Sequence, residues 1–297
     1  MIIFTLSVCL VTVFSLLSVA FYTVFERKVL GLAQLRVGPH KSSFFGILQP
    51  LLDGLKLLTK AGPKVSGSPA FLFIFPRAAM LILTLQVWGL VPSNLHSGLL
   101  ELSILFFTVT MGLVVYNTIL AGIISKSKFG MLGAIRRACQ SVSYEISLRF
   151  QLLSLAVLPS RFILGSQTRF SVSFLMAGLW WVRCVCECNR APFDFAEGER
   201  ELIRGFNVEY SAVGFVFIFL SEYGIMLALS LTSSCLFFNS SLVGFVAFFF
   251  SFCIFRATFP RYRFDLLMKF CWLAVLPLSI AIFVLILYLW AFGVFAY

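Results

Sequence analysis

One short stretch holds a large share of the acidic side chains in this sequence. Residues 189–210 read NRAPFDFAEGERELIRGFNVEY, and this stretch contains five of the twelve carboxylates of the 297-residue chain. These five are Asp194, Glu197, Glu199, Glu201 and Glu209. Carboxylates a few ångströms apart titrate as a group, so they suit the uptake and transfer of protons. Apolar residues alternate with the acids, which favours a protein-covered or ligand-facing surface over a merely solvated loop.

Part of this stretch has the pattern of a short helix. Asp194 and Glu197 stand three residues apart and fit a capping box, in which the first side chain caps the helix and the second reaches back to it. In such a helix Asp194, Glu197 and Glu201 share one face. The alternative is a solvated loop in which nearby arginines, including Arg200 and Arg204, neutralise the acids.

Further charges lie inside segments that are otherwise apolar. Glu145 and Arg149 stand four residues apart, as do Arg183 and Glu187, so each pair shares a helix face and predicts an ion pair. Glu222 has no basic residue within four positions. Intramembrane charges are costly and commonly line proton paths or cavities. The two pairs fit either a structural role or a proton path. We predict that Glu222 is an unpaired carboxylate that carries a proton. The alternative is that Glu222 lies near the end of a span, where its carboxylate reaches water.

The sequence around these charges is that of a membrane protein. Hydrophobic residues make up 60% of the chain and charged residues 12%, with a mean hydropathy of +1.00, whereas soluble domains carry about 25% charged residues. Because a spanning helix needs about 20 apolar residues, we predict an all-α integral membrane protein. It is a single membrane domain over residues 1–297 with eight transmembrane helices. The predicted spans are residues 2–25, 71–91, 99–124, 132–158, 169–188, 211–232, 240–259 and 271–294.

Residues 44–60 are predicted to form an amphipathic helix at the membrane interface. Gln49, Asp53, Lys56 and Lys60 recur at spacings of three and four and make a polar stripe opposite several leucines. A bend is expected near Pro50. The pattern suits a surface anchor and the lining of a functional site equally well.

The net charge of +11 is explained by membrane orientation and not by nucleic-acid binding. The loops after the first, third, fifth and seventh predicted spans, with Arg256 at the edge of the last of them, carry sixteen of the 23 lysines and arginines. This bias is the positive-inside signal, so these odd-numbered loops, with any short helices they form, face the cytoplasm or matrix.

The sequence gives no sign of a redox centre of its own. The cluster of Cys184, Cys186 and Cys188 offers only two cysteines on one helix face and no fourth ligand nearby, which favours buried thiols over a metal site. Phosphate-binding glycine loops, the GxSxG motif and dinucleotide fingerprints do not occur in the sequence. Any redox cofactor is therefore expected in another subunit.

Six motifs together resemble one family. They are ERKVLGLAQLRVGPHK (26–41), GILQPLLDGLKLLTK (46–60), SVSYEISL (141–148), the stretch at 189–210, SEYG (221–224) and PRYRFDLLM (260–268). In this order they resemble the NADH–ubiquinone oxidoreductase chain 1 family, the mitochondrially encoded, quinone-binding core membrane subunits of respiratory complex I. The resemblance covers essentially the whole chain.

The resemblance implies two groups of functional residues. Around a quinone chamber it places Arg27, Arg36, Asp53, Lys56, Arg190, Asp194, Phe195, Glu197 and Glu199. Along a proton path from this chamber into the membrane it places Glu145, Glu187, Glu201, Glu209, Glu222 and Arg136. It implies no catalytic redox group and no metal ligand in this chain.

The resemblance also implies the setting of the chain. It predicts a subunit of an H⁺-translocating NADH:ubiquinone reductase in the mitochondrial inner membrane, with its odd-numbered loops and their short helices in the matrix. The substrate is a ubiquinone-type quinone, and FMN and iron–sulfur clusters belong to partner subunits. The expected partners are peripheral-arm subunits of the quinone module over the matrix loops, small membrane subunits and lipids, with no nucleic acid.

Four positions depart from the family, and two other functions compete with the leading one. The family usually has small polar residues at Arg200 and Arg204, an apolar residue at Arg149 and a glutamate at Ala61. The added arginines are expected to make nearby acids weaker proton acceptors. The alternatives are the membrane anchor of a related hydrogenase-type or ferredoxin-linked complex, and an ion-coupled secondary transporter that uses Glu145 and Glu222.

Overall fold

The chain folds into long helices that pack side by side in a computed structural model. The structure describes residues 2–42, 44–60, 70–90, 102–157, 170–194, 210, 212–238 and 241–292, and within these ranges every regular element is helical. The helices are α1 (Ile2–Ala33), α2 (Gln49–Thr59), α3 (Ala70–Leu90), α4 (Ser103–Ile124), α5 (Lys128–Val157), α6 (Phe170–Glu187), α7 (Ala212–Phe237), α8 (Leu242–Thr258), α9 (Phe264–Phe270) and α10 (Leu276–Ala291). A π-helical turn, Cys271–Val275, joins α9 to α10.

Length and apolar composition allow five of the described helical segments to cross a membrane. They are Cys9–Ala33, Phe71–Leu90, Ser103–Ile124, Ala212–Phe237 and Phe264–Ala291. Helix α8 is apolar but shorter, with 17 residues. Helices α5 and α6 carry charges in their interiors, which lowers their hydropathy. The all-helical membrane class is supported, and the count of eight spans stays a prediction.

Each predicted span coincides with a helix, but several bounds differ. Helix α1 continues to Ala33 instead of ending at residue 25, and α7 continues to Phe237 instead of ending at residue 232. The last apolar segment becomes helical at Phe264, seven residues before the predicted start. Charged residues led to the early predicted end of α1. The helix continues because the charged Glu26 is buried against other helices.

Helices α5 and α7 form the centre of the structure. Helix α7 packs against α1, α3, α6 and α8, while α5 packs against α4, α6 and α10. Nearly every residue of α7 from Ser221 to Leu236 is buried, as expected of a helix that is apolar on all sides. By contrast, α10 exposes large apolar side chains such as Val284 and Leu285, which suits contact with lipid.

Polar side chains connect the central helices. The Trp180 indole N–H donates to the Ser233 hydroxyl at 3.0 Å, which joins α6 to α7. The Trp88 indole N–H donates to the Gly224 carbonyl at 3.0 Å, which joins α3 to α7. Such interhelical hydrogen bonds stabilise helix association in membranes, where apolar contact alone gives no advantage over lipid.

The amphipathic segment is helical over a shorter range than predicted. A 3₁₀ turn covers Phe44–Gly46, and α2 begins only at Gln49. The break falls where Phe45 and Gly46 adopt positive φ angles of 57° and 73°, a conformation that ends a right-handed helix. Helix α2 buries none of its residues within the chain, and four of its leucines remain exposed. Its place at the membrane interface stays a prediction.

Helices α4 and α5 approach each other closely at Gly122. A Cβ atom added to Gly122 would lie 2.3 Å from the Cβ of Ala134, which is far inside van der Waals contact. An alanine side chain has no rotamer that could move it aside. The close approach of the two helices therefore depends on the missing side chain, as in other membrane helix pairs with small residues at the contact.

We predict that Gly122→Ala destabilises the chain by about 1–3 kcal/mol, the usual cost of overpacking, because α4 and α5 must move apart. The measurement is the thermal unfolding of the detergent-solubilised protein in its native assembly. The matched control is Gly178→Ala in α6, where an added Cβ meets no atom within 4 Å. Equal unfolding temperatures for the two variants would contradict the predicted helix contact.

Candidate functional site

The buried carboxylate of Glu222 is held between two arginines. Glu222 lies in the middle of α7, and its Oε1 accepts a hydrogen bond from Arg137 of α5. Its Oε2 lies 3.4 Å from the guanidinium of Arg190, in the segment that follows α6. Only 9% of the Glu222 side chain and 7% of the Arg137 side chain are exposed. The prediction that Glu222 is unpaired is therefore wrong.

Tyr223 connects this ion pair to a second one. The guanidinium of Arg190 lies 4.2 Å from the centre of the Tyr223 ring, a cation–π contact. The Tyr223 hydroxyl donates to Glu26 Oε2 at 2.6 Å. The other oxygen of Glu26 lies 2.5 Å from the guanidinium of Arg256 in α8. A continuous series of polar contacts thus runs through α5, the turn after α6, α7, α1 and α8.

The sequence positions these groups through simple local features. Helix α6 ends at Glu187 because Asn189 adopts a positive φ of 48°, and asparagine tolerates this left-handed conformation at a helix end. The turn that follows directs Arg190 back towards α7. Gln140 of α5 fixes this turn, since its side-chain amide donates to the carbonyls of Cys186 at 2.9 Å and Phe193 at 3.1 Å.

The beginning of the acid-rich stretch is docked onto the segment between α8 and α9. Asp194 Oδ2 lies 3.3 Å from the guanidinium of Arg261. The Tyr262 backbone N–H donates to the Pro192 carbonyl at 3.1 Å, and the rings of Phe193 and Tyr262 are 5.5 Å apart. Two of the predicted positive-side loops therefore meet at Asp194.

Two more predicted acids lie along α5 and α6. The predicted pair of Glu145 and Arg149 is confirmed. Glu187 is buried, its Oε2 has no hydrogen-bond partner among the described residues, and it interacts electrostatically with Glu145 and Arg137. Glu187 therefore lies near both Glu145 and Arg137, and Arg137 in turn contacts Glu222.

The predicted ion pair of Arg183 and Glu187 is wrong. Arg183 is fully buried, and its guanidinium donates to the side-chain oxygen of Gln151 in α5. The Gln151 amide in turn donates to the Met176 carbonyl at 2.5 Å. A spacing of four residues allows an ion pair but does not require one, because a polar group on a neighbouring helix can compete for the same donors.

The predicted chamber residues near α1 and α2 form a separate, more exposed group. The Arg27 guanidinium lies 3.1 Å from Asp53 Oδ2, and about half of the Arg27 side chain is exposed. Gln49 also donates to Asp53, at 2.9 Å. Arg36 donates to Gln34 at 2.8 Å on the surface, and Lys56 is exposed on α2.

Several predicted site residues lie outside the part of the chain that the structure describes. They are Phe195, Glu197, Glu199, Glu201 and Glu209, together with the departures at Arg200, Arg204 and Ala61. The capping box that begins at Asp194 also falls there. The role of Arg136 stays a prediction. Arg136 is half-buried on α5, and the arginine that contacts Glu222 is its neighbour Arg137.

Sequence reasoning missed Arg137, Glu26, Tyr223, Arg256 and Arg261 as site residues. Glu26 and Arg137 are far in sequence from their partners, so no helical spacing pointed to these contacts. One usable signal existed: an isolated acid such as Glu222 in an apolar helix needs a basic partner from another helix. The double arginine at 136–137, inside another apolar segment, was the natural place to look.

Comparison with known proteins gives a consistent match. Residues 6–287 match the family described as NADH dehydrogenase. A protein of Heterololigo bleekeri named NADH-ubiquinone oxidoreductase chain 1 is 40% identical over 293 residues, which cover 92% of this chain and 93% of that protein. Proteins of the same name from Aedes aegypti and Artemia franciscana are 40% and 41% identical, and each match covers 89% of this chain. The chain belongs to the NADH dehydrogenase family.

The family match runs from α1 into α10 and includes every site residue described above. The family resemblance inferred from the six sequence motifs is therefore confirmed over nearly the whole chain. Glu26, Glu145, Arg190 and Glu222 lie within four of these motifs, at residues 26–41, 141–148, 189–210 and 221–224. Arg137 and Arg256 lie outside all six, which is a further reason that motif matching did not find them.

We predict that Arg137→Gln destabilises the protein by roughly 3 kcal/mol, the low end of the cost of breaking a buried ion pair, because Arg190 still contacts Glu222. The readout is the thermal unfolding of the solubilised native assembly. Adding Glu222→Gln should recover part of this loss, because the uncompensated charge is then removed. The control is Arg263→Gln, which breaks an exposed pair with Asp265 and should cost about 0–1 kcal/mol. The prediction fails if Arg137→Gln is as stable as this control.

Proposed function

We propose that this chain is a core membrane subunit of a proton-pumping NADH:ubiquinone oxidoreductase. In that role it forms part of the quinone chamber and the first section of a carboxylate path for protons. Its relatives carry the name of a subunit of this enzyme, and they come from animals. With several helices long enough to cross a bilayer, the chain belongs in the mitochondrial inner membrane as a multi-pass subunit. The flavin, the iron–sulfur clusters and the NADH site belong to partner subunits.

The observation that carries the proposal is the continuous series of buried charged groups around Glu222. Isolated buried charges are unfavourable, and a membrane protein without a use for them would be expected to replace them by apolar residues. Here Arg137 lies near both Glu187 and Glu222, Glu145 lies near Glu187, and Tyr223 extends the series to Glu26. Such a group can accept and pass on protons because each protonation changes the energy of the others.

Arg190 connects this series to the proposed quinone chamber. It contacts Glu222 and the Tyr223 ring, and it lies four residues before Asp194 in the segment docked onto Arg261. Negative charge that develops on a quinone near this segment attracts Arg190 and weakens its hold on Glu222. The balance of charge around Glu222 then changes, because Coulomb interactions are weakly screened in a low-dielectric surrounding. Quinone chemistry at the chamber thereby changes proton binding inside the membrane.

The orientation follows from the same residues. Arg27, Arg190 and Arg261 lie on the odd-numbered loops or at their edges, which the positive-inside bias assigns to the matrix. The chamber is accordingly on the matrix side, where it can be covered by peripheral-arm subunits. Arg27 and Asp53 line its outer part next to the amphipathic helix α2, and Arg190 and Asp194 line its inner part.

The subunit assignment is tested by gentle solubilisation of native membranes followed by separation of intact complexes. We expect this chain to migrate with flavin and iron–sulfur proteins in a complex that oxidises NADH and reduces quinone. Migration with a nickel–iron protein, or as a lone chain, would rule the assignment out.

The proton path is tested separately with Glu222→Gln in the assembled complex. We expect fewer protons to be translocated per electron pair, because the amide cannot carry a proton, while quinone reduction falls by a smaller factor. Asp265→Asn is the matched control, since Asp265 pairs with Arg263 at the exposed surface. An unchanged proton-to-electron ratio in Glu222→Gln would remove this residue from the path.

A further inference from the structure

Arg149 is a charged side chain on the outer surface of the helix bundle. About half of it, 49%, is exposed, whereas its partner Glu145 is 9% exposed. Among the described residues, the Arg149 guanidinium donates to Glu145 alone. A guanidinium has five N–H donors, so this one carboxylate leaves several of them without an acceptor among the described residues.

The guanidinium lies level with the midpoint of α4. A Cβ atom added to Gly112 would lie 2.8 Å from Glu145 Oε1 and 3.2 Å from Nη2 of Arg149. Gly112 is at the midpoint of α4, which is one of the segments apolar and long enough to cross a bilayer. The exposed donors are thus far from both water-facing ends of the span.

The side chain also points away from the nearer end of its helix. Arginines near the end of a span commonly extend their charge outwards to the lipid head groups. Arg149 instead turns back one helical turn to Glu145, about 18 Å from the end of α5 at Val157 along the helix axis. In this position the guanidinium lies about three helical turns from that end of the helix.

The surroundings of Arg149 on the surface are apolar. Val109, Leu113 and Tyr116 of α4 are exposed at helical spacing, and Val142 of α5 is exposed two turns before Arg149. One polar position therefore lies within an apolar surface that two packed helices share. Lipid chains satisfy the apolar residues but offer no acceptor to the guanidinium.

We propose that a membrane-spanning helix of a neighbouring, different chain packs on this α4–α5 surface and presents an uncharged acceptor to Arg149. The acceptor is a side-chain oxygen of serine, threonine, asparagine or glutamine. Glu145 already balances the charge of Arg149, so the remaining donors need hydrogen-bond acceptors and not a second carboxylate. Polar side chains of this kind join helices in membranes. The proposal deepens the proposed function by giving the subunit a partner surface, and it does not depend on quinone chemistry.

The first test is photo-crosslinking in the intact complex, in its native membrane. A photo-reactive phenylalanine analogue replaces Leu113, which lies next to Gly112 and is 45% exposed. We expect an adduct with a different membrane-spanning chain. An adduct with phospholipid alone, or with a second copy of this chain, would overturn the proposal. Because the readout is the identity of the adduct, it is unaffected if the proposed quinone function fails.

The second test combines this probe with changes at Arg149, with adduct yield normalised to the amount of this chain in the membrane. Arg149→Met removes the donors and keeps the bulk, and it should lower the yield about threefold or more, in line with the loss of an interhelical hydrogen bond. Arg149→Lys keeps donors at the same place and should retain most of the yield. Equal yields from the methionine variant and the unaltered chain would overturn the proposal. Should the methionine variant fail to accumulate, the probe in the otherwise unaltered chain still decides the identity of the neighbour.

Discussion

The ion pair between Glu222 and its two arginines constrains the rest of this structure. A carboxylate in the middle of a buried helix is tolerated only if opposite charges reach it, because the surrounding helices and lipid offer no solvation. Arg137 comes from α5 and Arg190 from the turn after α6, so three separate parts of the chain must converge at one point on α7. Because these parts converge there, α5 and α7 lie at the centre of the structure. Gln140 of α5 holds the turn after α6 in place beside them.

The second ion pair extends this constraint to the other side of the bundle. Glu26 and Arg256 connect α1 with α8, and the Tyr223 hydroxyl joins them to α7. The same pair explains why α1 continues as a helix past the residue at which its apolar sequence ends. Arg256 balances the charge of Glu26 and Tyr223 donates a hydrogen bond to it, so this part of α1 stays between neighbouring helices. Structural and proposed functional roles thus rest on the same few residues.

Predictions from the sequence were accurate where the information is local. Apolar length located the helices, and a spacing of four residues gave the pair of Glu145 and Arg149. The partner of Glu222 could not be found in this way, because Arg137 is 85 residues away and only the packing of α5 on α7 brings the two together. Local spacing was misleading at Arg183, whose donors bind Gln151 of a neighbouring helix. Motif resemblance identified the family and named several of the acids that the structure buries, but it contains no distances and therefore no contact partners.

Tyr223 serves two neighbours with two different parts of one side chain. Its ring faces Arg190, while its hydroxyl faces Glu26. The phenol thereby stands between two ion pairs, that of Glu26 with Arg256 and that of Glu222 with Arg190. Any movement of this one side chain disturbs the contacts of both pairs at once. A single aromatic residue in this way couples the two ion pairs mechanically.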